Sequence, residues 1–319
     1  MALAIICSGG DAAGMNPAIK KFVDYAYKKG QQTYFIEKGL EGLIDNNIRE
    51  ATHKDVAGIM HIGGTIIRSS RSKRFFEYEY RKKAYQNLKA LDIRGVVVLG
   101  GDGSFRAMQK FSSEFDINFV GIPATIDNDI YGTEYCLGVD TALNVIRDAL
   151  DKIRDTASSF DRAFIVEVMG RECGYLAVVS SIISGAEICV IPEVTFEKKS
   201  LEKRLKFEIE HGRNYVLAIV SEGSKKTSEV HSWIQDKLGL ETRVSILGHI
   251  QRGGNPTVYD RMMAFDFTIF AVDYLLEHNN SNKVVVYNKG EFSFMEIEDI
   301  VSHTYQLPIR LLNAINYLD

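Results

Sequence analysis

Three turns in this chain hold the residues best suited to handling phosphate. Ser8-Gly9-Gly10-Asp11-Ala12-Ala13-Gly14, Gly100-Gly101-Asp102-Gly103-Ser104 and Thr125-Ile126-Asp127-Asn128-Asp129 each follow a short apolar run. Glycines just after a strand let backbone N–H groups approach a phosphate closely, and a helix opening there turns its positive end toward the anion. Either glycine loop alone also reads as a plain tight turn, because neither fits G-x-x-x-x-G-K-S/T or G-x-G-x-x-G. Two in one chain favour phosphate. Asp102 is placed to hold Mg2+ against polyphosphate oxygens, since magnesium takes one or two carboxylates plus substrate phosphates. The same residue reads alternatively as the N-cap of a helix beginning near Gly103. Thr125, Asp127 and Asp129, at i, i+2 and i+4, are expected to face one side of an extended or turning segment. Two carboxylates there repel unless a cation compensates or one serves as a base.

Cationic residues punctuate other turn-like stretches. Arg68 and Arg71 follow Gly63-Gly64, Arg171 ends Met169-Gly170-Arg171, and Arg252 lies in Gly248-His249-Ile250-Gln251-Arg252-Gly253-Gly254, with Arg162 and Arg243 elsewhere. A single Arg is usually a solvated surface charge. Several beside glycine turns read as phosphate clamps, because the guanidinium fork matches phosphate geometry. His249, by itself a structural histidine, becomes a phosphate ligand next to Arg252. Together these residues describe a phosphoryl-transfer enzyme with a nucleotide end and an anionic-substrate end.

The elements that must position them alternate. Apolar, β-branched runs recur at Leu3–Cys7, Thr33–Ile36, Gly95–Leu99, Phe119–Ile122, Phe164–Val168, Ile188–Ile191, Tyr215–Val220 and Lys283–Tyr287. Longer segments with helical spacing lie between most of them. Val139, Leu143, Ile146, Leu150 and Ile153 step by four and three, leaving Asp148, Asp151 and Lys152 for the outer face. Strand alternating with helix argues for parallel sheets covered on both sides. At 319 residues the chain has room for about two domains.

Composition removes other classes. The chain is 45% hydrophobic and 25% charged, with five Pro, and has the makings of a packed core. Its net charge of −4 provides no general basic field for nucleic acid or an anionic membrane. Met1–Cys7 is apolar but lacks a basic lead-in, so a signal peptide is not expected. No apolar run approaches the roughly 20 residues that span a bilayer. Cys7, Cys136, Cys173 and Cys189 lack C-x-x-C spacing and are expected to be buried thiols in a reducing cytoplasm.

Taken in order along nearly the whole chain, these segments strongly resemble the ATP-dependent bacterial 6-phosphofructokinases. Gly63-Gly64-Thr65, Arg154-Asp155-Thr156 and Val166-Glu167-Val168-Met169-Gly170-Arg171 join the turns above in carrying the resemblance. It implies two Rossmann-like α/β domains with mainly parallel sheets covered by helices on both faces. Residues 1–138 plus about 251–300 would bind ATP, and 139–250 plus about 301–319 fructose 6-phosphate. It implies transfer of the ATP γ-phosphoryl group to the C1 hydroxyl of fructose 6-phosphate in glycolysis. Asp127 would be the base, Arg171 and Thr125 would stabilise the transferring phosphoryl, and Asp102 would associate with Mg2+. Gly10, Arg71, Gly103 and Ser104 would hold ATP. Arg162, Arg243, His249 and Arg252 would hold the sugar phosphate, with Thr125, Asp127, Asp129, Met169, Gly170, Arg171 and Glu222 completing the substrate site. A cytoplasmic homotetramer is implied, with Arg162 and Arg243 serving a neighbouring subunit's site.

Departures from the resemblance fall near the nucleotide and at an effector pocket. Leu40 stands where Tyr is common, Arg106 and Ala107 where Met and Gly are usual, and Ala124 replaces Gly. Lys20, Arg154, Glu187 and Arg213 match positions that bind phosphoenolpyruvate or ADP. Asp24 and His53 replace arginines, Lys54 a tyrosine and His211 a lysine, so weak, acid-enhanced effector inhibition is expected. Two alternatives stand beside the kinase: a pyrophosphate-dependent phosphofructokinase, and a non-catalytic nucleotide- or sugar-phosphate-binding regulatory subunit. The former would carry Asp at 103 and Lys at 124, and the latter would have lost Asp102 or Asp127.

Overall fold

The structure, a computed structural model, describes residues 2–279 and 282–318. The chain forms two compact units, Met1–Thr141 with Arg252–Tyr305, and Ala142–Gln251 with Gln306–Asp319.

Unit 1 contains strands β1 (Ala2–Cys7), β2 (Gln32–Ile36), β3 (Ile48–Glu50), β4 (Ile93–Gly100) and β5 (Phe119–Pro123), with β10 (Lys283–Asn288) and β11 (Glu291–Glu296) from the returning segment. Its helices are α1 (Met15–Lys28), α2 (Gly39–Ile44), α3 (Tyr78–Ala90), α4 (Asp102–Glu114), α9 (Val258–Glu277) and α10 (Ile297–Ser302). β1 and β5 are buried throughout and β4 is buried except at Arg94, which is why they read as apolar runs without alternation. The seven-stranded sheet has the order β11-β10-β5-β4-β1-β2-β3, parallel except at its two edges, where β3 and β11 run antiparallel to their neighbours. The core is built on Phe22, Phe35, Phe105, Phe111, Phe119 and Phe267, all fully buried. Gly121 is a glycine because the Phe105 ring comes within 2.6 Å of where a Cβ would sit. Buried Arg81 donates to half-buried Glu114 at 2.6 and 2.8 Å and to the Phe75 carbonyl at 2.8 Å.

In unit 2, strands β6 (Ala163–Val168), β7 (Ile188–Val190), β8 (Val216–Ser221) and β9 (Thr242–Ile246) form a wholly parallel sheet of order β7-β8-β6-β9. Helices α6 (Tyr175–Ser184), α7 (Lys198–Glu210), α8 (Thr227–Leu238) and α11 (Ile309–Ala314) accompany it, with most of α5 (Val139–Phe160). Ile165, Val216, Ala218 and Val220 pack with Leu205, Ile234 and Trp233 as its core. On α5, Val139, Ile146 and Leu150 are buried while Asp148, Asp151 and Lys152 are exposed, as the spacing predicts; Leu143 and Ile153 are only partly covered.

All eight apolar runs form strands. Strands β3, β9 and β11 were not anticipated: β3 has three residues, and β9 and β11 are partly exposed edge strands without an apolar run. Among the described residues no helix is long and apolar enough to cross a membrane. The four cysteines are free thiols, three buried and Cys189 half-buried. Burial pushes the Cys7 thiol up to about 12 despite a hydrogen bond from Thr65.

Candidate active site

In unit 1 the chain leaves β1 toward β2 on one side, whereas β4 lies on the other. Loops at such a switch point part and open a crevice at the carboxyl ends of the strands. Both glycine turns sit there. The Ser8 N–H donates to the Leu99 carbonyl at 2.9 Å, and the Gly9 N–H to Ser70 at 3.2 Å, while the Ser69 hydroxyl donates to the Gly9 carbonyl at 2.6 Å. These bonds bring the segment bearing Arg71, itself exposed, to the first turn. Ser104 is buried between the turns: its Oγ lies 3.2 Å from where a Cβ on Gly9 would stand and 2.6 Å from one on Gly100. Gly10 faces the Arg252 guanidinium, whose Nη1 would be 2.5 Å from a Cβ there and donates to the Asp11 carbonyl at 3.0 Å. Gly10, assigned to ATP, and Arg252, assigned to the sugar phosphate, are therefore neighbours.

Asp102 is the first residue of α4, not its N-cap. Gly101, in an extended conformation (φ −102°, ψ −168°), takes the cap position. Without a capping duty, the Asp102 carboxylate is half-buried and accepts a hydrogen bond from Arg106 Nε at 2.8 Å, an i,i+4 pair. A carboxylate in the first turn of a helix is favoured by the helix dipole. Gly103 is exposed with open space where a Cβ would be, so no intramolecular packing requires glycine. Leu40 is buried in α2 and Ala107 is half-buried.

After β5, Ala124 is buried and bridges Leu137, and its N–H donates to the Gly100 carbonyl at 2.9 Å. It is not among the non-glycine residues with positive φ, so alanine fits here without strain. Thr125 Oγ1 lies 3.4 Å from Asp127 Oδ2 and accepts from the Asp127 N–H at 3.3 Å. Both residues are buried, with Asp127 fully so. The alternation that brings them together ends at Asn128, which adopts a left-handed conformation (φ 51°). Asp129 follows this residue, so the segment is turning rather than extended at that point.

In unit 2 the loops after the parallel neighbours β6 and β9 leave the same edge of the sheet. Met169, Gly170 and Arg171 follow β6, and a 3-10 turn follows β9, its residues Gly248–Gln251 in this unit and Arg252 opening the returning segment of unit 1. Gln251 joins the two: its buried side chain accepts from the Met169 N–H at 3.1 Å and donates to the Gly248 carbonyl at 3.0 Å. Gly170 has φ 136° and a Cβ there would strike the Cys173 carbonyl, so only glycine serves. Arg171 is exposed at φ 49°, and its N–H donates to Glu222 Oε1 at 3.0 Å. Arg171, Glu172, Glu193, Glu222 and Lys225 line an open hollow of about 610 Å³. His249 is exposed on its turn. Arg162, just before β6, and Arg243, paired opposite Phe164 on β9, are both bound by one carboxylate, Glu241. Hydrogen bonding from Arg162 holds the Glu241 carboxyl below the usual range. Sequence reasoning missed Glu241, although its place two residues before Arg243 was a signal.

The effector candidates fall into two clusters. In unit 1, Asp24 accepts from Lys20 at 2.8 Å and from His53 Nδ1 at 2.8 Å, while Lys54 is exposed. Burial pushes the Asp24 carboxyl up, but the bonds from Lys20 and His53 outweigh it and hold it below the usual range. In unit 2, buried Glu187 accepts from the Leu217 N–H at 2.6 Å and from Arg213, and burial raises its carboxyl above the ordinary value. Arg154 donates to the Gly185 carbonyl at 3.2 Å, and His211 contacts the Phe207 carbonyl at 2.7 Å.

Two α/β units with glycine turns, a buried Thr–Asp pair and arginine-bearing loops at the carboxyl ends of parallel strands define a phosphate-handling α/β protein. A profile of the family described as Phosphofructokinase matches residues 2–275. The chain belongs to the phosphofructokinase family. It is 57% identical to a protein of Sulfurimonas denitrificans named ATP-dependent 6-phosphofructokinase, over 98% of each chain. A Wolinella succinogenes protein of the same name is 54% identical over 100% of this chain and 99% of its own. Among solved structures, phosphofructokinase from Saccharomyces cerevisiae superposes with a TM-score of 0.91 at 31% identity, covering 100% of this chain, which spans 47% of the yeast chain.

The Arg171 turn offers a direct test. A Cβ on Gly223 would collide with the Arg171 carbonyl oxygen. Gly223→Ala is expected to cost about 1–3 kcal/mol, the usual range for overpacking, and to speed amide exchange at Arg171 and Cys173 while β1 and β4 are unaffected. Unchanged exchange at Arg171 in this variant would show that the turn has room to spare.

Proposed function

We infer that the chain is an ATP-dependent 6-phosphofructokinase, moving the ATP γ-phosphoryl group to the C1 hydroxyl of fructose 6-phosphate to give fructose 1,6-bisphosphate in glycolysis. The observation that carries this is 54–57% identity over 97–100% of the chain to proteins named for that activity. Unit 1 would bind ATP through Gly10, Arg71, Gly103 and Ser104. Fructose 6-phosphate would be bound through Thr125, Asp127, Asp129, Arg162, Met169, Gly170, Arg171, Glu222, Arg243, His249 and Arg252. Asp127 takes the C1 hydroxyl proton as that oxygen bonds to the γ-phosphorus and the bond to the ADP oxygen breaks. Thr125 and Arg171 stabilise the charge on the transferring group. Phosphoryl transfer needs mainly such positioning and charge neutralisation.

Among the described residues no group of three or more His, Cys, Asp or Glu could hold a metal by itself. A single accessible carboxylate on a glycine turn fits Mg2+, which draws its remaining ligands from polyphosphate and water. Asp102 would hold it, and the ion would neutralise phosphate charge when bound. Gly103 supports ATP over pyrophosphate as donor: the position would accommodate a larger residue, so the glycine leaves space for the nucleotide. A non-catalytic role is disfavoured because Asp102, Asp127 and Arg171 are all present. The working assembly would be a cytoplasmic homotetramer in which Arg162 and Arg243 serve a neighbouring subunit. Lys20, Arg154, Glu187 and Arg213 would form the effector site.

Coupled assays with fructose 6-phosphate should give faster turnover with ATP than with pyrophosphate; the reverse would overturn the donor assignment. Asp127→Ser should lower kcat by about 10² to 10⁴, the usual worth of a positioned base, with little change in KM. A variant keeping more than a tenth of the rate would remove Asp127 from that role.

Arg106 competes with Mg2+ for Asp102. An exposed i,i+4 pair is worth about 0.3–0.5 kcal/mol, so Arg106→Met should roughly halve the Mg2+ needed for half-maximal rate. A requirement that is unchanged or higher would show that the pair does not oppose the metal.

Regulation follows from charge. Asp24, held ionised by Lys20 and His53, opposes an anionic effector at neutral and mildly acidic pH alike. Phosphoenolpyruvate inhibition should therefore be weak near pH 8 and near pH 6 alike. Strong inhibition at either value in side-by-side titrations would refute this.

A further inference from the structure

The Asp127 turn is stitched to a segment that a distant buried carboxylate holds. Asn128 is 1% exposed, and its side chain works at both ends: Oδ1 accepts the Cys136 N–H at 2.9 Å and Nδ2 donates to the Glu134 carbonyl at 3.1 Å. An asparagine tolerates the left-handed backbone that the turn requires while making such local bonds. The returning segment is tied back to β5 by the Leu137 N–H, which donates to the Pro123 carbonyl at 2.9 Å, and by the Ala124–Leu137 bridge. Next, four donors converge on Asp260, in the first turn of α9 and fully buried. The Tyr135 hydroxyl and Gly138 N–H reach Oδ1, both at 2.6 Å, and the Thr141 N–H and hydroxyl reach Oδ2 at 2.9 and 2.5 Å. A carboxylate accepting from four donors cannot be copied by a neutral amide, which would turn an N–H2 toward two of them.

We propose that Asn128 is a positioning residue for Asp127, fastened through residues 134–138 to an anchor at Asp260. The proposal rests on the reading of Asp127 as the base. Asn128 makes no contact with substrate in this scheme; it fixes the backbone from which the Asp127 carboxylate projects. A misplacement of about 1 Å in a reacting group can cost on the order of 10² in rate.

Asn128→Gly keeps the left-handed conformation available and removes both side-chain bonds. It should lower kcat by about 10- to 100-fold, with KM for ATP and fructose 6-phosphate within about threefold of wild type. Its effect should vanish when Asp127 is already Ser: adding Asn128→Gly to Asp127→Ser should change the residual kcat by less than about twofold. A general structural defect would instead multiply the two losses. Tyr135→Phe, which removes one of the four donors to Asp260, should lower kcat by about 3- to 10-fold, again only while Asp127 is present; it carries the same test if Asn128→Gly does not fold. Near-wild-type kcat in these variants, or equal losses with and without Asp127, would overturn the proposal while leaving the base assignment standing. A high residual rate in Asp127→Ser alone would instead remove the base assignment, and the proposal with it.

Discussion

The strand order within each unit is the constraint on which its candidate loops depend. Where connections leave two adjacent parallel strands in opposite directions, the loops at their carboxyl ends separate and their backbone groups stay accessible. In unit 1 this happens between β1 and β4; in unit 2 the parallel β6 and β9 are neighbours, so their carboxyl-end loops lie side by side. Residue choice at those loops follows from crowding. Ser104 fills the space between two turns, Arg252 lies against Gly10, and the Cys173 carbonyl faces Gly170, so side chains are excluded where backbones and guanidinium groups must come close. The bulky core phenylalanines set the sheet and helices in place, and the turns inherit their positions from them.

Much of this was legible in the sequence because interior parallel strands are unmistakable: β1 is an unbroken apolar run bounded by Gly-Gly. The two glycine turns and the Thr125–Asp127 pair were legible because residue type and spacing carry their chemistry. What was not legible depends on partners far along the chain. Strand β9 looks polar in sequence because it is an edge strand, with Arg243 and Ile246 exposed. Asp102 reads as a cap until Gly101 is seen to be extended. Nothing local marks Asp260 as the acceptor for residues 119 to 125 positions away.

Several of the candidate charged side chains are paired within the chain. Arg106 holds Asp102, Glu241 holds Arg162 and Arg243, and Asp24 is shared by Lys20 and His53. These are solvent-accessible pairs, which typically contribute no more than about 1 kcal/mol, so a phosphate or metal can trade places with one partner at small cost. The Arg81–Glu114 pair and the Asp260 network differ in kind. Arg81 and Asp260 are buried, and leaving a buried charged group without its partners costs several kcal/mol, about 3–5 for a broken buried ion pair. Exchangeable charge thus lies on accessible side chains of helices, strands and loops, and fixed charge in the covered scaffold beneath them.

Unit 1 is discontinuous, and its anchor lies beyond the gap. Asp260 emerges from the ribosome only after the 110 residues from Ala142 to Gln251. At about 5–20 residues per second, the Asp127 turn spends roughly 5–20 s without the group that fastens its return segment. During synthesis the first 141 residues can form most of a sheet but not a finished turn. A nascent chain of this protein therefore passes through an interval in which its phosphate-facing loops exist without their final geometry, and chains ending before α9 would remain in that state.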